Sequence, residues 1–212
     1  MRVHYIGLST QIGKRVFDLL VAMVGLVIFL PFFPLIALAI KVDSTGSVCI
    51  SQMRIGRARP DRTELFCMWK FRTMRQDAEA GTGAVWASKQ DPRITRVGRF
   101  LRKTRLDELP QLVNVLKGEM SLVGPRPERP GFYQKLESQI PFFAERTYGL
   151  APGITGLAQV NQGYDTSIDD VRVKLAYDHG YAMALTTFLS WLKMDLTIVC
   201  KTAAIMLKGG GQ

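Results

Sequence analysis

The most distinctive pattern in the chain is an unbroken apolar run near its N-terminus. Residues 19–40 contain no polar side chain over 22 positions, and a helix of that length, at ~1.5 Å per residue, is long enough to cross a bilayer. Pro31 and Pro34 interrupt the run. Because each proline removes a backbone donor and clashes with the preceding turn, we predict a membrane helix with a break near its middle. A cleaved signal peptide would be shorter and would end at a small-residue cleavage site.

Positive charges lie on both sides of this apolar run. Lys14 and Arg15 precede it, and Lys41 and Arg54 follow it. The positive-inside bias keeps such flanks in the cytoplasm, so we expect a re-entrant segment that enters and leaves by the same face. A single kinked span is the alternative, because membrane helices tolerate proline.

The hydrophobic pattern of the next part of the chain predicts two strands followed by helices. Residues 48–53 and 65–71 are typical of short strands around a polar turn, and residues 76–80 indicate a short helix. Residues 93–105 carry six positive and no negative charges on a helical pattern, and another helix is predicted to begin near residues 104–108 and to end at about residue 117. The predicted core-facing residues of this last helix are Leu109, Leu112, Val113 and Leu116.

Two later segments complete the predicted architecture. Residues 147–170 are rich in Gly, Pro, Asn and Asp and indicate a loop region. Residues 185–207 form an amphipathic stretch around Trp191 that lies either at the membrane interface or in the protein core. We therefore predict an α/β (α+β) fold. It consists of an N-terminal segment (1–46) holding the re-entrant helix, and a helix-rich domain (47–212) with a small β-sheet and amphipathic interfacial helices.

The charge of the chain calls for an anionic partner. Its composition, 47% hydrophobic and 22% charged over 212 residues, is that of a globular protein, but 28 basic and 18 acidic residues give a formal charge of +10. Nucleic acid, anionic membrane lipids or an anionic substrate would each explain this excess. No nucleic-acid-binding motif occurs, so we expect no nucleic acid partner. The three dispersed cysteines and two isolated histidines do not suggest a disulfide framework or a zinc site.

Adjacent Asp107 and Glu108 at a predicted helix N-terminus are the sharpest local signal for chemistry. The helix dipole stabilises negative charge there, so both carboxylates should be ionised near neutral pH. Asp107 can then attack an electrophilic phosphorus. Glu108, offset by about 100° around the helix, is suited to holding Mg²⁺, with Asp107 beside it. Two acids in a first turn are also a common structural cap, and the spacing alone does not separate the two interpretations.

The sequence Pro125-Arg126-Pro127 indicates phosphate binding. Two prolines fix the backbone around Arg126, and a rigidly held guanidinium suits bidentate capture of a phosphate. A structural turn with a surface arginine is the alternative. Arg102, five residues before Asp107, would add a second cation. A nucleophile, a metal ion and two arginines together suit a diphosphate substrate.

The order of several motifs resembles the bacterial sugar transferases, also called monotopic phosphoglycosyltransferases, over about residues 14–207. The motifs are residues 52–56, 70–74, 91–98, 101–111, 114–128 and 152–156, and Tyr177-Asp178 with Tyr181. The resemblance implies transfer of a sugar-1-phosphate from a nucleotide diphosphate sugar, usually a UDP-sugar, to polyprenyl (undecaprenyl) phosphate. Such a reaction releases UMP and begins the synthesis of a bacterial surface polysaccharide or glycoconjugate.

The resemblance also implies roles for individual residues. Asp107 would form a covalent aspartyl-phosphosugar intermediate, Glu108 would assist Mg²⁺ binding, and Arg102 and Arg126 would bind phosphate. The protein would be monotopic, on the cytoplasmic face of the bacterial inner membrane, in contact with anionic lipids. Its oligomeric state, including a homo-oligomer, is left open.

The chain departs from the family pattern at the membrane break. Many relatives carry Ser-Pro there, whereas Leu30 precedes Pro31 in this chain, so no serine hydroxyl can bond a freed carbonyl. We expect the chain to correspond to the minimal catalytic unit, without the multi-span domain that larger relatives add. The alternative function is a membrane-tethered protein that binds a nucleotide sugar or a lipid phosphate without turnover.

Overall fold

The structure is a computed structural model that describes residues 6–78, 80, 91–162 and 167–208. It is a helix-rich mixed α/β fold with small sheets, as predicted. The helices and strands of the described residues are, in order, α1 (Leu8–Phe29), α2 (Phe33–Asp43), β1 (Cys49–Ala58), β2 (Thr63–Phe71), α3 (Arg96–Thr104), α4 (Gln111–Lys117), β3 (Ser121–Val123), α5 (Pro130–Gln139), β4 (Gly153–Thr155), α6 (Leu157–Asn161), α7 (Ile168–Ala184) and α8 (Phe188–Leu207). Single 3₁₀ turns cover Leu30–Phe32, Leu106–Glu108 and Phe143–Thr147.

The strands form two separate pairs. β1 and β2 are antiparallel, with Cys49 opposite Phe71, and the register shifts between Ile55 and Ala58. This hairpin confirms the two predicted strands, which extend further than predicted. β3 and β4 are parallel, with Ser121 opposite Gly153. Since the carboxyl ends of parallel strands meet at one edge of a sheet, the segments that follow β3 and β4 are brought together.

The apolar segment is helical on both sides of a local break. The 36 residues of Leu8–Asp43 are long and apolar enough to cross a membrane, by length and composition. The break is a 3₁₀ turn that contains Pro31, as the sequence predicts for that proline. Pro34 does not add a second break, because it lies in the first turn of α2, where a missing amide hydrogen leaves no helical bond unmade.

The N-terminal half of α1 is fixed to the rest of the protein by charged side chains. Lys14 Nζ lies 2.8 Å from Asp195 Oδ2, and the fully buried Asp195 also accepts hydrogen bonds from Tyr181 and Trp191, at 2.8 Å each. Arg15 donates to the last carbonyl oxygens of α4, at 2.6 and 2.8 Å, which satisfies groups that a helix end leaves unpaired.

The C-terminal end of α2 is fixed to the same body. Asp43 Oδ2 accepts a 2.9 Å hydrogen bond from the backbone N–H of Val97, in the first turn of α3. Ile40 packs in a buried cluster with Phe71 of β2 and Leu101 of α3. Both arms of the apolar segment therefore rest on the globular part of the chain.

The helix predicted to begin near residues 104–108 starts later in the structure. Arg105 has a left-handed backbone (φ 57°), which ends α3, and α4 begins only after Pro110. Of the predicted core-facing residues, Leu112 is buried and Leu109 and Leu116 pack against the core, but Val113 is 38% exposed and Asn114 is fully buried instead. Asn114 bonds the edge of β2, donating to Cys67 O at 2.8 Å and accepting from Trp69 N at 3.1 Å.

Three other predictions are corrected or refined. Residues 76–78 form a turn instead of the start of a helix. The predicted loop region 147–170 contains β4, α6 and the start of α7, while residues 163–166 lie outside the described part. α8 buries Trp191 and Ile198 in the core and leaves Leu189 exposed. One face of this helix therefore packs in the protein core, which is one of the two predicted positions for this stretch.

Candidate active site

A cavity of about 1300 Å³ gathers the predicted site residues. Asp107, Glu108, Arg102 and Arg126 all line it. Among the described residues, eleven basic and three acidic side chains form its wall, so the cavity attracts anions. The basic residues are Arg54, Lys70, Arg72, Arg75, Arg93, Arg102, Arg105, Arg126, Arg129, Lys174 and Lys208.

The two carboxylates are presented by the 3₁₀ turn between α3 and α4. The left-handed backbone of Arg105 redirects the chain, so Asp107 and Glu108 lie before α4 and outside its first turn. They are nearly buried, at 8% and 9% exposure. The predicted stabilisation by the dipole of a helix that starts at these residues is therefore wrong, and nearby side chains take that role.

Glu108 is held as a carboxylate by two arginines. Arg126 Nη2 lies 2.9 Å from Oε1, and Arg105 Nη1 lies 3.9 Å from Oε2. Burial by itself raises the pKa of Glu108, but the charges of Arg126 and Arg105 and the hydrogen bond from Arg126 outweigh it and leave the pKa below its ordinary value. Glu108 is consequently ionised at neutral pH.

Asp107 has the opposite environment. Burial and the adjacent Glu108 carboxylate raise its pKa to about 6, against the lowering effect of Lys70, Arg102 and Arg126. The carboxylate is ionised at neutral pH but poorly stabilised by solvent. Two neighbouring acids with opposite pKa shifts are typical of sites where the two groups have different roles.

Arg102 is positioned by the close approach of α3 to the segment that follows β2. Its Nε donates to Thr73 Oγ1 at 3.0 Å. A side chain at Gly98 would collide with the carbonyl oxygen of Thr73, so the absence of a Cβ there permits this approach. Thr95 caps α3 by accepting a 3.0 Å hydrogen bond from Gly98 N.

The Arg126 loop is held by its backbone. Gly153 N donates to Pro125 O at 2.9 Å, and the buried Arg146 donates to Arg126 O at 2.6 Å. Pro125 and Pro127 are buried on either side of Arg126, whose own side chain is 44% exposed. Neither proline lines the cavity, so of the predicted phosphate-binding residues in this loop only Arg126 reaches it.

Two residues of the site were not assigned from the sequence, Lys70 and Arg54. Burial and the charge of Arg54 lower the pKa of Lys70 to about 8, although Asp107 opposes the shift. Burial and Arg126 lower the pKa of Arg54 to about 10. Both residues belong to the family motifs named above. Lys70 is paired across the hairpin with Ile50, and Arg54 lies four residues after Ile50 on β1. Strand alternation therefore places Lys70 and Arg54 on the same face of the hairpin. That alternation is the signal that could have found them.

The carboxylate pair fits a magnesium ion that substrate phosphates help to hold. Glu108 Oε2 is buried and has no hydrogen-bond partner among the described residues. Mg²⁺ is commonly bound by one or two carboxylates together with substrate phosphates. The described residues contain no cluster of three or more His, Cys, Asp or Glu that would hold a metal without substrate.

Comparison with known proteins decides the family. Residues 9–209 match the sequence profile of the family described as bacterial sugar transferase. The chain belongs to that family. Since the match covers nearly the whole chain, it includes the apolar segment, the hairpin and every residue of the carboxylate and arginine site.

This bacterial sugar transferase is similar to several known proteins over most of its length. A UDP-N-acetylgalactosamine-undecaprenyl-phosphate N-acetylgalactosaminephosphotransferase of Aeromonas hydrophila is 43% identical over 93% of the chain and 44% of its own length. A UDP-glucose:undecaprenyl-phosphate glucose-1-phosphate transferase of Caulobacter vibrioides is 39% identical over 94% of the chain and 71% of its own length. The exopolysaccharide production protein PSS of Rhizobium leguminosarum bv. phaseoli is 37% identical over 93% of the chain and 96% of its own length. The chain therefore spans less than half of the Aeromonas relative.

Proposed function

We propose that this bacterial sugar transferase moves a sugar-1-phosphate from a UDP-sugar to undecaprenyl phosphate and releases UMP. The observation that carries the proposal is the adjacent pair Asp107 and Glu108, with opposite pKa shifts, in a cavity lined mostly by arginine and lysine. The names of the relatives supply the donor and acceptor classes. Such a reaction would begin the assembly of a bacterial surface polysaccharide or glycoconjugate.

In the first step, a carboxylate oxygen of Asp107 attacks the sugar-bearing phosphorus of the donor. A new P–O bond forms to Asp107, and the P–O bond to UMP breaks, so UMP leaves with the electron pair. Arg102, Arg126 and Lys70 neutralise the charge of the phosphates during the displacement. The raised pKa of Asp107 supports its role, because a poorly stabilised carboxylate is a better nucleophile than one held by strong hydrogen bonds.

In the second step, a phosphate oxygen of undecaprenyl phosphate attacks the phosphorus of the aspartyl-phosphosugar. The bond to Asp107 breaks, the carboxylate is restored, and the product is an undecaprenyl diphosphosugar. No proton transfer is needed for either displacement when both phosphate nucleophile and carboxylate are ionised.

Magnesium is part of the proposal. When bound, Mg²⁺ supplies positive charge to the oxygens of the diphosphate. Glu108, whose Oε2 accepts no hydrogen bond from the described residues, is the residue best placed to hold it, and Asp107 is the adjacent carboxylate. The hydrogen bond from Arg126 to the other oxygen of Glu108 would keep Oε2 oriented.

We further propose that the apolar segment is re-entrant and that the protein is monotopic, on the cytoplasmic face of the inner membrane. Both arms of the segment are fixed to the same body, through Lys14 and Arg15 at one end and Asp43 at the other. A cysteine introduced at Leu8, in a variant with serine at the native cysteines, should react with a membrane-impermeant maleimide only after the cells are opened. Labelling in intact spheroplasts would instead favour a single span.

The reaction itself is tested by measuring UMP release with purified protein in detergent, Mg²⁺, UDP-N-acetylgalactosamine or UDP-glucose, and undecaprenyl phosphate. We expect UMP release from the wild type and a loss of at least 10³-fold in Asp107→Asn, with donor binding retained. Asp169→Asn, which changes an exposed acid on α7, should have wild-type activity. Donor binding without UMP release from the wild type would support a non-catalytic binding protein instead.

A further inference from the structure

Two glutamine side chains of the cavity wall, Gln159 and Gln162, are not used by the proposed chemistry. Each has a buried amide oxygen without a hydrogen-bond partner among the residues that the structure describes. Both belong to the segment that follows β4, which lies apart in sequence from the carboxylate turn. Orphaned buried acceptors are uncommon in folded proteins and call for a specific explanation.

The orientation of both amides is fixed by their nitrogen atoms. Gln159 Nε2 donates to Ile154 O and Gln162 Nε2 donates to Asp170 O, both at 2.9 Å. A carbonyl oxygen can only accept, so the nitrogen of each amide must face it. The amide oxygens are therefore directed away from these carbonyls, and neither accepts a hydrogen bond within the described residues.

The parallel strands place the segment that carries Gln159 beside the Arg126 loop. Arg126 follows β3 and Gln159 follows β4, and Gly124 N donates to Thr155 O at 2.9 Å where the two segments leave the sheet. A Cβ added to Gly156 would lie 3.0 Å from Gln159 Oε1 and would collide with Gly124 O. Ligands of α/β proteins commonly bind at the carboxyl ends of parallel strands.

The chemistry of this part of the wall differs from that of the carboxylate site. Arginine and lysine side chains are donors and suit the phosphate oxygens of a donor substrate. A glutamine oxygen is a neutral acceptor and suits an O–H or N–H group. In a UDP-sugar such groups belong to the uncharged parts: the hydroxyls or acetamido group of the transferred sugar, the hydroxyls of the ribose and the imide N–H of the base.

We propose that Gln159 and Gln162 accept hydrogen bonds from O–H or N–H groups of the uncharged part of the UDP-sugar and so contribute to donor selection. This inference rests on the proposed function. Leaving a buried acceptor unpaired is unfavourable, so a ligand that supplies the missing donors is favoured over one that does not. The transferred sugar and the nucleoside are the two sources of such groups.

The test compares Gln159→Met and Gln162→Met with wild type. Methionine keeps the length of the side chain and removes the acceptor. Gln139→Met is the matched control, since Gln139 is an exposed glutamine at the end of α5 that does not line the cavity. The measurements are kcat/KM for UDP-glucose and UDP-N-acetylgalactosamine, the inhibition constant of UMP, and the melting temperature, which identifies unfolded variants.

We expect Gln159→Met or Gln162→Met to lower kcat/KM by about tenfold or more while Gln139→Met changes it less than twofold. Contact with the transferred sugar would change the ratio between the two donors and leave UMP inhibition unaltered. Contact with the nucleoside would weaken UMP inhibition and lower kcat/KM for both donors by the same factor. Folded Gln159→Met and Gln162→Met variants with wild-type values throughout would overturn the inference.

Failure of the proposed function has a different signature. It would appear as absence of UMP release from the wild type with any donor. In that case calorimetric binding of UDP-glucose and UMP to wild type and variants tests the glutamines directly. Equal affinities of wild type and both methionine variants, or no binding to the wild type, would contradict the assignment.

Discussion

Arg126 Nη2 lies 2.9 Å from Glu108 Oε1 and joins the loop after β3 to the turn that precedes α4. This ion pair keeps Glu108 charged, and the charge of Glu108 in turn raises the pKa of its neighbour Asp107. One arginine thus acts on both carboxylates. The division between a stabilised acid and a reactive one follows from this geometry.

Replacing Arg126 should disable the site without unfolding the protein. We expect Arg126→Ala to lower kcat/KM by about 10²–10³-fold, because a cation that meets the phosphates is lost and Glu108 loses its hydrogen bond. Arg126→Lys should recover part of the activity, since lysine keeps the charge but not the planar guanidinium. The matched control is Arg99→Ala, an exposed arginine of α3 outside the cavity, and an equal loss in both variants would contradict this role.

The contribution of Asp107 to the stability of the metal-free protein should decrease as the pH rises. Its pKa of about 6 in the folded state exceeds the ordinary value of 3.8, so the folded state holds the proton more tightly than the unfolded state. The contribution of Asp107 to stability is therefore greatest at low pH and is lost as the pH rises through about 6. In EDTA at pH 8, the melting temperature of Asp107→Asn should exceed that of wild type by a few degrees. The difference between the two melting temperatures should become smaller towards pH 5.

Glu108 provides a control, because its replacement should change the melting temperature in the opposite direction. Its pKa is lowered in the folded state, so its carboxylate stabilises the fold at neutral pH. Glu108→Gln should melt below wild type at pH 8, under the same metal-free conditions. Equal shifts of the melting temperature in Asp107→Asn and Glu108→Gln would show that the two environments do not differ as described.

Gly98 should tolerate no side chain. In Gly98→Ala, the added methyl group would meet the carbonyl oxygen of Thr73, so α3 must move and Arg102 must leave its hydrogen bond with Thr73. We expect a loss of about 1–3 kcal/mol in the free energy of unfolding, measured by denaturation in detergent, together with reduced activity. Gly131→Ala, at an open position of α5 with no atom near the new methyl, should be neutral or slightly stabilising.

Asp195 should be essential for fixing α1 to the body. It is completely buried and accepts from Lys14, Tyr181 and Trp191, so Asp195→Asn breaks the ion pair of a largely buried lysine. Breaking such a pair costs about 3–5 kcal/mol. Thermal unfolding in detergent should show the loss, whereas Asp169→Asn should be within experimental error of wild type. A small effect in both variants would mean that the Lys14 contact does not hold the helix.

The elements with strong local signals could be predicted from the sequence. The apolar segment, its break at Pro31 and the β1–β2 hairpin each follow from a run, a proline or an alternation that acts over a few residues. The four charged residues predicted to form the site, on three different elements, do line one cavity. Their roles in catalysis stay predictions until variants are measured.

The remaining errors come from contacts between distant residues. The left-handed backbone at Arg105 ends a helix that propensity alone would continue into α4. Asn114 is buried because the edge of β2 supplies partners for its amide, and no pattern within α4 reveals that edge. β4 was not predicted within residues 147–170, because a three-residue strand is defined by its partner β3 more than by its own sequence.

The most direct test of the mechanism is intact-protein mass spectrometry of the purified protein with Mg²⁺ and a UDP-sugar, in the absence of undecaprenyl phosphate. We expect a mass increase of one phosphosugar, located on Asp107 by peptide mapping, absent from Asp107→Asn and discharged when undecaprenyl phosphate is added. UMP release that begins only with the lipid acceptor, with no adduct at any time after rapid quenching, would contradict a covalent intermediate on Asp107.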